Sequence, residues 1–363
     1  KTTATASKEL LLGSSKNTDL KSTSVLYCVY DMAVSPCSYD FFTFLYSCEL
    51  CRKRRGLDTV KLFIVQSNWV GFFRKDNIRT ESQNVTFFNN VIVPGISLLA
   101  SCEDFSWTSR QDLFWIDELE PNLVFPRGYK TNKPVYEYAG NDLVAAKVRG
   151  DEPIDLKAPA YAVRLVRKFI ASIDNKNYVT LTIREIERDD ASGSRKILKD
   201  VWKESFQELI KRDIVPVVIR DTDAVFSKPL FDGLIELDVA AIHLPFRAAI
   251  YENSLLNFFK NNGPFLLAAF GTGHNAVFNS FDENVIALSE RWYKNALGMS
   301  FGSQAPMTKQ RTNYLWECET KDKIIEIIDL RLETNGKPNN GHGFKDDENK
   351  KASFQVAVTY LAK

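Results

Sequence analysis

Between residues 178 and 278 the chain switches repeatedly between two hydrophobic periods, and this alternation limits its fold more than any other feature. Runs of strand length rich in apolar and β-branched residues fall at 178–183 (Tyr178-Val179-Thr180-Leu181-Thr182-Ile183), 215–219, 255–259 and 275–278. The segments between them carry helical spacing, clearest at 198–212, where Val201, Trp202, Phe206, Leu209 and Ile210 share one face. Further helices are expected over 246–253 and 265–270. Short strands joined by helices pair in parallel, and a parallel sheet needs helices on both faces. The expected class is therefore α/β, with ligands at the carboxyl ends of the strands.

At 363 residues the chain exceeds what one hydrophobic core covers, and its 44% hydrophobic content, with 25 Phe, 13 Tyr and 6 Trp, supplies two. The first half repeats the theme: a strand over 25–30, a helix over 38–55 that closes on Arg52-Lys53-Arg54-Arg55-Gly56, and a strand over 60–65 make one βαβ unit. From 67 to 138 aromatic residues scatter among polar ones, and further βα elements with long loops are expected. A short helix at 142–149 and a linker at 153–159, bounded by Pro153 and Pro159, precede a helix over 160–173. This divides the chain into a flexible arm (1–21), a first Rossmann-like domain (22–159), a second (160–334), and a polar loop with a C-terminal segment that packs back (335–363). Two such halves face each other across a cleft. A further apolar-periodic segment lies at 323–332.

Lys plus Arg number 47 against 46 Asp plus Glu, so no overall field draws the chain to nucleic acid or to an anionic membrane. No apolar run reaches the roughly 18 residues of a membrane span. Five of the six cysteines lie in the first third, most within apolar runs, which reads as buried thiols in a reducing, cytoplasmic setting. Cys48 and Cys51 have metal-ligand spacing, and Cys28 and Cys37 complete a set of four. Their helical context, with no second Cys-x-x-Cys and no clustered His, favours thiols packed in a core. Dinucleotide-binding glycine fingerprints, P-loops and nucleophile elbows are all missing, which removes the main support for dehydrogenase, NTPase and serine hydrolase chemistry.

The residues left to carry chemistry sit at predicted strand ends. Asn261-Asn262-Gly263-Pro264 joins a strand to a helix opened by proline, a turn at which backbone N–H groups converge on an anion. Arg184 ends the 178–183 strand and is followed by Arg188 and by Ser192-Gly193-Ser194-Arg195; guanidinium forks in such places suit a pyrophosphate. Asp221-Thr222-Asp223 ends the 215–219 strand. Paired carboxylates there hold a divalent cation in metal-dependent sugar transferases, but Asp and Thr also end strands for local reasons, and the reading adopted is no metal. Arg247 and Tyr251 share a helix face, and Glu252 is a candidate to orient a ribose hydroxyl. Asp31, ending the first strand, is the candidate general base on an acceptor hydroxyl; its alternative is a turn-capping role.

Taken together, the stretch 178–185, Arg220-Asp221-Thr222, Arg247-Ala248-Ala249-Ile250-Tyr251-Glu252, Asn262-Gly263-Pro264 and Gly302-Ser303-Gln304 resembles a little-characterised bacterial group related to GT-B glycosyltransferases. The likeness runs from about Val25 to Ile328. The Asn-Asn-Gly-Pro turn is also similar to the Asn-Asp-Ser-Gly-Pro turn of heptosyltransferases, with Asn262 where those enzymes have Ser. The resemblance implies two Rossmann-like domains, a nucleotide-sugar donor held mainly by the second, and usually no metal or other cofactor. The diphosphate falls to Arg184, Arg195, Arg247, Asn262, Gly263 and Pro264, and the nucleotide or sugar to Glu252, Ser303 and Gln304. The acceptor is a glycan, lipid or protein hydroxyl. Two other readings share the fold: a non-catalytic glycan- or nucleotide-binding module, and a nucleotide-sugar epimerase.

Overall fold

The computed structural model describes residues 24–67, 80–136, 139–185, 196–278, 283, 288–294, 299–305, 308–309 and 311–335. The expected arm at 1–21 and residues 336–363 of the expected C-terminal segment lie outside them.

The first half builds β1 (Val25–Asp31), α1 (Asp40–Arg55), β2 (Thr59–Val65), α2 (Glu81–Phe87), β3 (Cys102–Thr108), β4 (Val124–Phe125) and α3 (Ala139–Arg149). The four strands form one parallel sheet in the order β3-β2-β1-β4. The second half builds α4 (Ala160–Ser172), β5 (Tyr178–Thr182), α5 (Lys199–Lys211), β6 (Val215–Ile219), β7 (Ile235–Glu236), α6 (Asp238–Ile242), α7 (Leu244–Asn253), β8 (Leu256–Lys260), α8 (Pro264–Ala269), β9 (Asn275–Phe278), β10 (Thr312–Leu315) and α9 (Lys321–Asn335). Its six parallel strands run β10-β9-β8-β5-β6-β7. Counted within each half, the orders read 3-2-1-4 and 3-2-1-4-5-6, the doubly wound arrangement. Its ligand crevice opens where the winding direction reverses, outside the carboxyl ends of β1 and β4 in the first sheet and of β5 and β8 in the second.

Local chemistry explains the element ends. Gly56 stops α1 in the left-handed conformation (φ 65°), its N–H donating to the carbonyls of Arg52 and Lys53. Four basic residues in the last turn complement the helix dipole. Thr80 and Gln83 form a reciprocal capping box at the start of α2, and the His243 imidazole accepts from Phe246 N–H at the start of α7. From 67 to 138 the expected βα units are cut short. Among the described residues, a π turn at Phe88–Ile92 extends α2 ahead of β3, and a 3-10 stretch at Gln111–Glu118 lies between β3 and β4. β3 is an edge strand with Phe105 and Trp107 exposed, so it lacks the buried apolar run that marks the central strands.

The two halves share one apolar core, which takes in Tyr30, Phe41 and Phe42 from the first and Phe246, Phe259 and Phe265 from the second. Helix α1 is buried around most of its circumference because it lies between its own sheet and the second domain. Its Tyr46 ring stands 4.4 Å from that of Phe270. The linker is tied to both sides: Ile154 N–H donates to the Tyr46 hydroxyl, Lys157 N–H to Leu98 O, and Leu156 N–H to Phe270 O. Asp155 pairs with Lys309 and Arg311.

Inside the second sheet a row of polar side chains crosses four strands. Thr180 Oγ1 donates to Asn257 Oδ1 (2.7 Å), Asn257 Nδ2 to Asn275 Oδ1 (3.1 Å), and Asn275 Nδ2 to Thr312 Oγ1 (3.0 Å). All four residues are buried. The cysteines are free thiols, four of them buried, and burial pushes Cys51 and Cys102 up to about 11, which leaves them protonated and inert. Among the described residues no group of three or more His, Cys, Asp or Glu side chains is placed to hold a metal, and no helix is long and apolar enough to cross a membrane.

Candidate functional site

The carboxyl ends of β5, β6 and β8 meet the loop before α1 and the helix α2 of the other domain, and a cavity of about 30 Å³ lies between them. Gln83, Thr86 and Asn90 line it from the first domain, and Asp221, Thr222 and Arg247 from the second, with Tyr39 and Pro264 at the junction.

Arg247 dominates this site. The residue is 2% exposed, yet no carboxylate among the described residues hydrogen-bonds to its guanidinium. Nε donates to Ala240 O, Nη2 to Arg220 O (3.2 Å) and Nη1 to the Tyr39 hydroxyl (2.7 Å), all neutral oxygens. Burial works against its charge, but the Tyr39 and Tyr251 oxygens and the Asp221 carboxylate outweigh that and hold the cation firmly protonated. Tyr251, four residues on, reaches Thr182 Oγ1 at 2.7 Å, so the shared helix face read from sequence points at the end of β5.

Asp221 accepts the Glu185 N–H at 2.7 Å, which ties the end of β6 to that of β5. Burial raises its pKa above the usual carboxylate range, and the Glu185 N–H and the charges of Arg247 and Arg184 oppose the rise. Arg184 and Arg247 thus each lie within electrostatic reach of Asp221. Arg220, by contrast, is absorbed by the fold: it grips Glu185 with Nε and Nη2 and reaches Glu236 at 3.3 Å.

The Asn262-Gly263-Pro264 turn stands beside Arg247, but its donors are turned inward. Asn262 Oδ1 accepts the Phe265 N–H, Asn262 Nδ2 donates to Thr182 O at the end of β5, and Leu266 N–H donates to Gly263 O. The helix it opens is six residues long. The convergence of N–H groups expected from the sequence is therefore largely satisfied within the turn, because the asparagine side chain caps the helix in place of a ligand. Gly263 is needed for space: a Cβ there falls 2.8 Å from the Tyr39 ring. Gly263→Ala should lower stability by about 1–3 kcal/mol through overpacking, read as a reduced urea midpoint.

Asp31 occupies the crevice of the first domain and does not line this cavity. It is fully buried, and its two oxygens accept Arg110 Nη2 (2.7 Å) and Nε (2.9 Å), the Tyr129 hydroxyl (3.1 Å) and the Ala33 N–H (2.9 Å). A general base keeps a lone pair toward the reacting hydroxyl. These contacts engage both oxygens of Asp31 and make it a carboxylate that joins three segments.

Three other residues singled out in the sequence stand apart from the cavity. Glu252 accepts Ala158 N–H of the linker at 2.7 Å. Gln304 clamps β10, donating to Tyr314 O and accepting Tyr314 N–H, so its amide substitutes for a neighbouring strand at the sheet edge. Ser303 closes a turn onto Ser300 and receives Trp316 Nε1 on its carbonyl. Arg195, and with it Arg188, lies outside the described residues, as does the side chain of Asp223.

Burial pushes Glu252 up to about 7, against the pull of the Ala158 N–H and Lys157. Its folded value lies above the ordinary 4.5, so the folded protein holds a proton that the unfolded chain releases. Its contribution is complete below about 4.5 and is lost as pH rises through about 7. Urea unfolding at a series of pH values should show this fall, and Glu252→Gln should flatten it.

Sequence reading missed Tyr39, Arg110 and Tyr129. Tyr39 lies in the loop after β1, where an aromatic beside Phe41 and Phe42 reads as core. Arg110 and Tyr129 lie 79 and 98 residues from Asp31, with no local pattern to join them.

No family model matches the chain, and no curated protein matches it in sequence. Solved structures do resemble it. A glycosyl transferase family 9 protein from Veillonella parvula aligns over 86% of this chain and 97% of its own at 7% identity, with a TM-score of 0.51. ADP-heptose LPS heptosyltransferase II of E. coli aligns over 86% of this chain and 99% of its own at 8% identity, with the same TM-score. At such identities the likeness is one of fold. With two parallel Rossmann-like sheets meeting across a cleft, the chain has a GT-B glycosyltransferase-like fold.

Proposed function

We propose that the protein is a cytoplasmic GT-B glycosyltransferase that moves a sugar from a nucleotide-diphosphate donor to a hydroxyl of a glycan, lipid or protein acceptor, with no metal or other cofactor. The observation that carries this reading is Arg247: a buried guanidinium with only neutral oxygen partners, facing a cavity between the domains at the reversal point of the second sheet. Burying a charge without an opposite charge in contact is expensive, and a site that keeps one is suited to an anion. Arg184 adds a second cation at the same strand ends, and a diphosphate matches two guanidinium groups better than a single carboxylate does.

In this scheme Arg184 and Arg247 stabilise the negative charge that grows on the leaving diphosphate as the glycosidic bond breaks. Arg195, which follows Arg184 in sequence, is assigned to assist them. Asn262, Gly263 and Pro264 form the wall beside the phosphates, contributing shape more than donors. Glu252, Ser303 and Gln304 are assigned to the nucleotide or sugar, Glu252 from α7 where it also holds the linker, and Ser303 and Gln304 from the sheet edge. The acceptor proton needs a carboxylate with an open lone pair, a condition that Asp31 meets only if Arg110 or Tyr129 releases it.

The test is a thermal-shift screen with UDP, ADP, GDP and CDP and their common sugar conjugates, followed by assay of sugar transfer. A nucleotide that binds only the folded protein at 100 times its Kd adds about 2.7 kcal/mol and raises the melting temperature. Silence across the whole panel would remove the donor assignment. Binding without transfer or hydrolysis would favour the non-catalytic module.

A further inference from the structure

The side chain of Tyr39 covers both features of the second domain to which the donor phosphates are assigned. Its hydroxyl oxygen accepts Arg247 Nη1 at 2.7 Å, and its ring lies so close to the Asn-Gly-Pro turn that a Cβ on Gly263 comes within 2.8 Å of it. The residue belongs to the first domain, immediately before α1, and is 8% exposed. Phe42 and Phe87 brace the ring at 5.8 and 6.2 Å, the second edge-on. The cavity that remains beside it is about 30 Å³, and Arg247 is 2% exposed, so in this arrangement the ring and its hydroxyl stand between the guanidinium and a diphosphate.

We propose that Tyr39 is the gate of the donor site. In the closed arrangement its phenol oxygen sits on Arg247 where a phosphate oxygen of the donor belongs, and its ring shuts the turn; the donor takes over the guanidinium and the ring swings away. The inference rests on reading the cleft as a nucleotide-diphosphate site. Physical chemistry favours the exchange, because a guanidinium binds an anionic oxygen more strongly than a neutral one. The opposing term is the loss of ring packing on Phe42 and Phe87, and it sets how often the gate stands open. A ligand that binds only the open form shows an affinity reduced by the open fraction. Since the gate comes from one domain and the anion site from the other, opening it also loosens a contact that holds the two domains together.

The experiment is isothermal titration of UDP, ADP, GDP and CDP into wild type, Tyr39→Phe and Tyr39→Ala, with circular dichroism to confirm folding. Tyr39→Phe keeps the ring and removes only the oxygen on Arg247, so the nucleotide that binds wild type should bind it about 3- to 10-fold more tightly. Tyr39→Ala removes ring and oxygen and should gain at least about tenfold. Binding by the variants where wild type is silent also supports the gate. Unchanged or weaker binding by both variants overturns the gate and leaves the donor site standing, with Tyr39 then a contact or a packing residue. If no nucleotide binds wild type or either variant, the donor reading itself has failed. Should Tyr39→Ala not fold, the comparison of Tyr39→Phe with wild type decides alone.

Discussion

Arg247→Met is expected to reduce the affinity for the nucleoside diphosphate by about 10- to 100-fold, since hydrogen bonds to a charged partner are worth about 1.5–3 kcal/mol. Methionine fills much of the same volume and removes the cation. It also leaves Ala240 O and Arg220 O, which now receive Arg247 donors, without partners in a buried place. Those unsatisfied carbonyls lower stability, while relief from a buried charge without a contacting carboxylate raises it. The net loss should stay within about 1–3 kcal/mol, small enough for a folded variant. Arg247→Lys should fall between, because an ammonium is a point charge that does not span three acceptors lying in different directions. Titration calorimetry on variants whose urea unfolding remains cooperative separates binding from stability. A folded Arg247→Met protein with undiminished affinity would place the nucleotide elsewhere.

Asp31→Asn should act first on stability. The amide cannot accept two Arg110 donors, the Tyr129 hydroxyl and the Ala33 N–H together, so a guanidinium contact is lost and the polar centre of the first domain is left unbalanced. Breaking a buried pair costs about 3–5 kcal/mol. Arg110 is 26% exposed and regains some water, which places the expectation near the lower end, about 3 kcal/mol. The urea midpoint measures it. Asp31→Asn also distinguishes the two roles open to this residue. A general base lost from an otherwise sound structure abolishes transfer and leaves the midpoint in place, whereas a structural carboxylate shifts the midpoint and spares donor affinity.

The second domain was the more legible half. Its central strands are buried on both faces and appear in the sequence as mainly apolar runs, and its helices α5 and α7 fall close to the segments the periodicity marks. Residues at the strand ends, Arg184, Asp221 and Asn262, were visible because strand ends are counted along the chain, and Arg247 because it shares a helix face with Tyr251. What each does there was not visible. Asn262 and Gln304 look like ligand groups in a sequence, yet each spends its amide on backbone: Asn262 on Thr182 of the neighbouring strand and on Phe265, Gln304 on Tyr314 of β10. Asp31 looks like an unencumbered carboxylate in a sequence, yet a partner 79 residues downstream grips it. Long-range pairing of this kind leaves no trace in local spacing. The short strands β7 and β4 were also missed, since two residues carry no period.

The row Thr180-Asn257-Asn275-Thr312 bears on how the second sheet chooses its alignment. Strands that are apolar on both faces lose little hydrophobic contact when one slides past another by two residues, because the same faces stay buried. The polar row removes that tolerance. A two-residue slip of β8 against β5 or β9 carries Asn257 away from Thr180 and Asn275 and strands several amide and hydroxyl groups in a dry interior, each at a penalty of about 1–3 kcal/mol. Replacing Asn257 with leucine would therefore cost the chain something other than contact energy. It would erase the difference between the correct alignment and its neighbours, and with it the certainty that the ends of β5, β6 and β8 finish level enough to bring Arg184, Asp221 and Arg247 to one place.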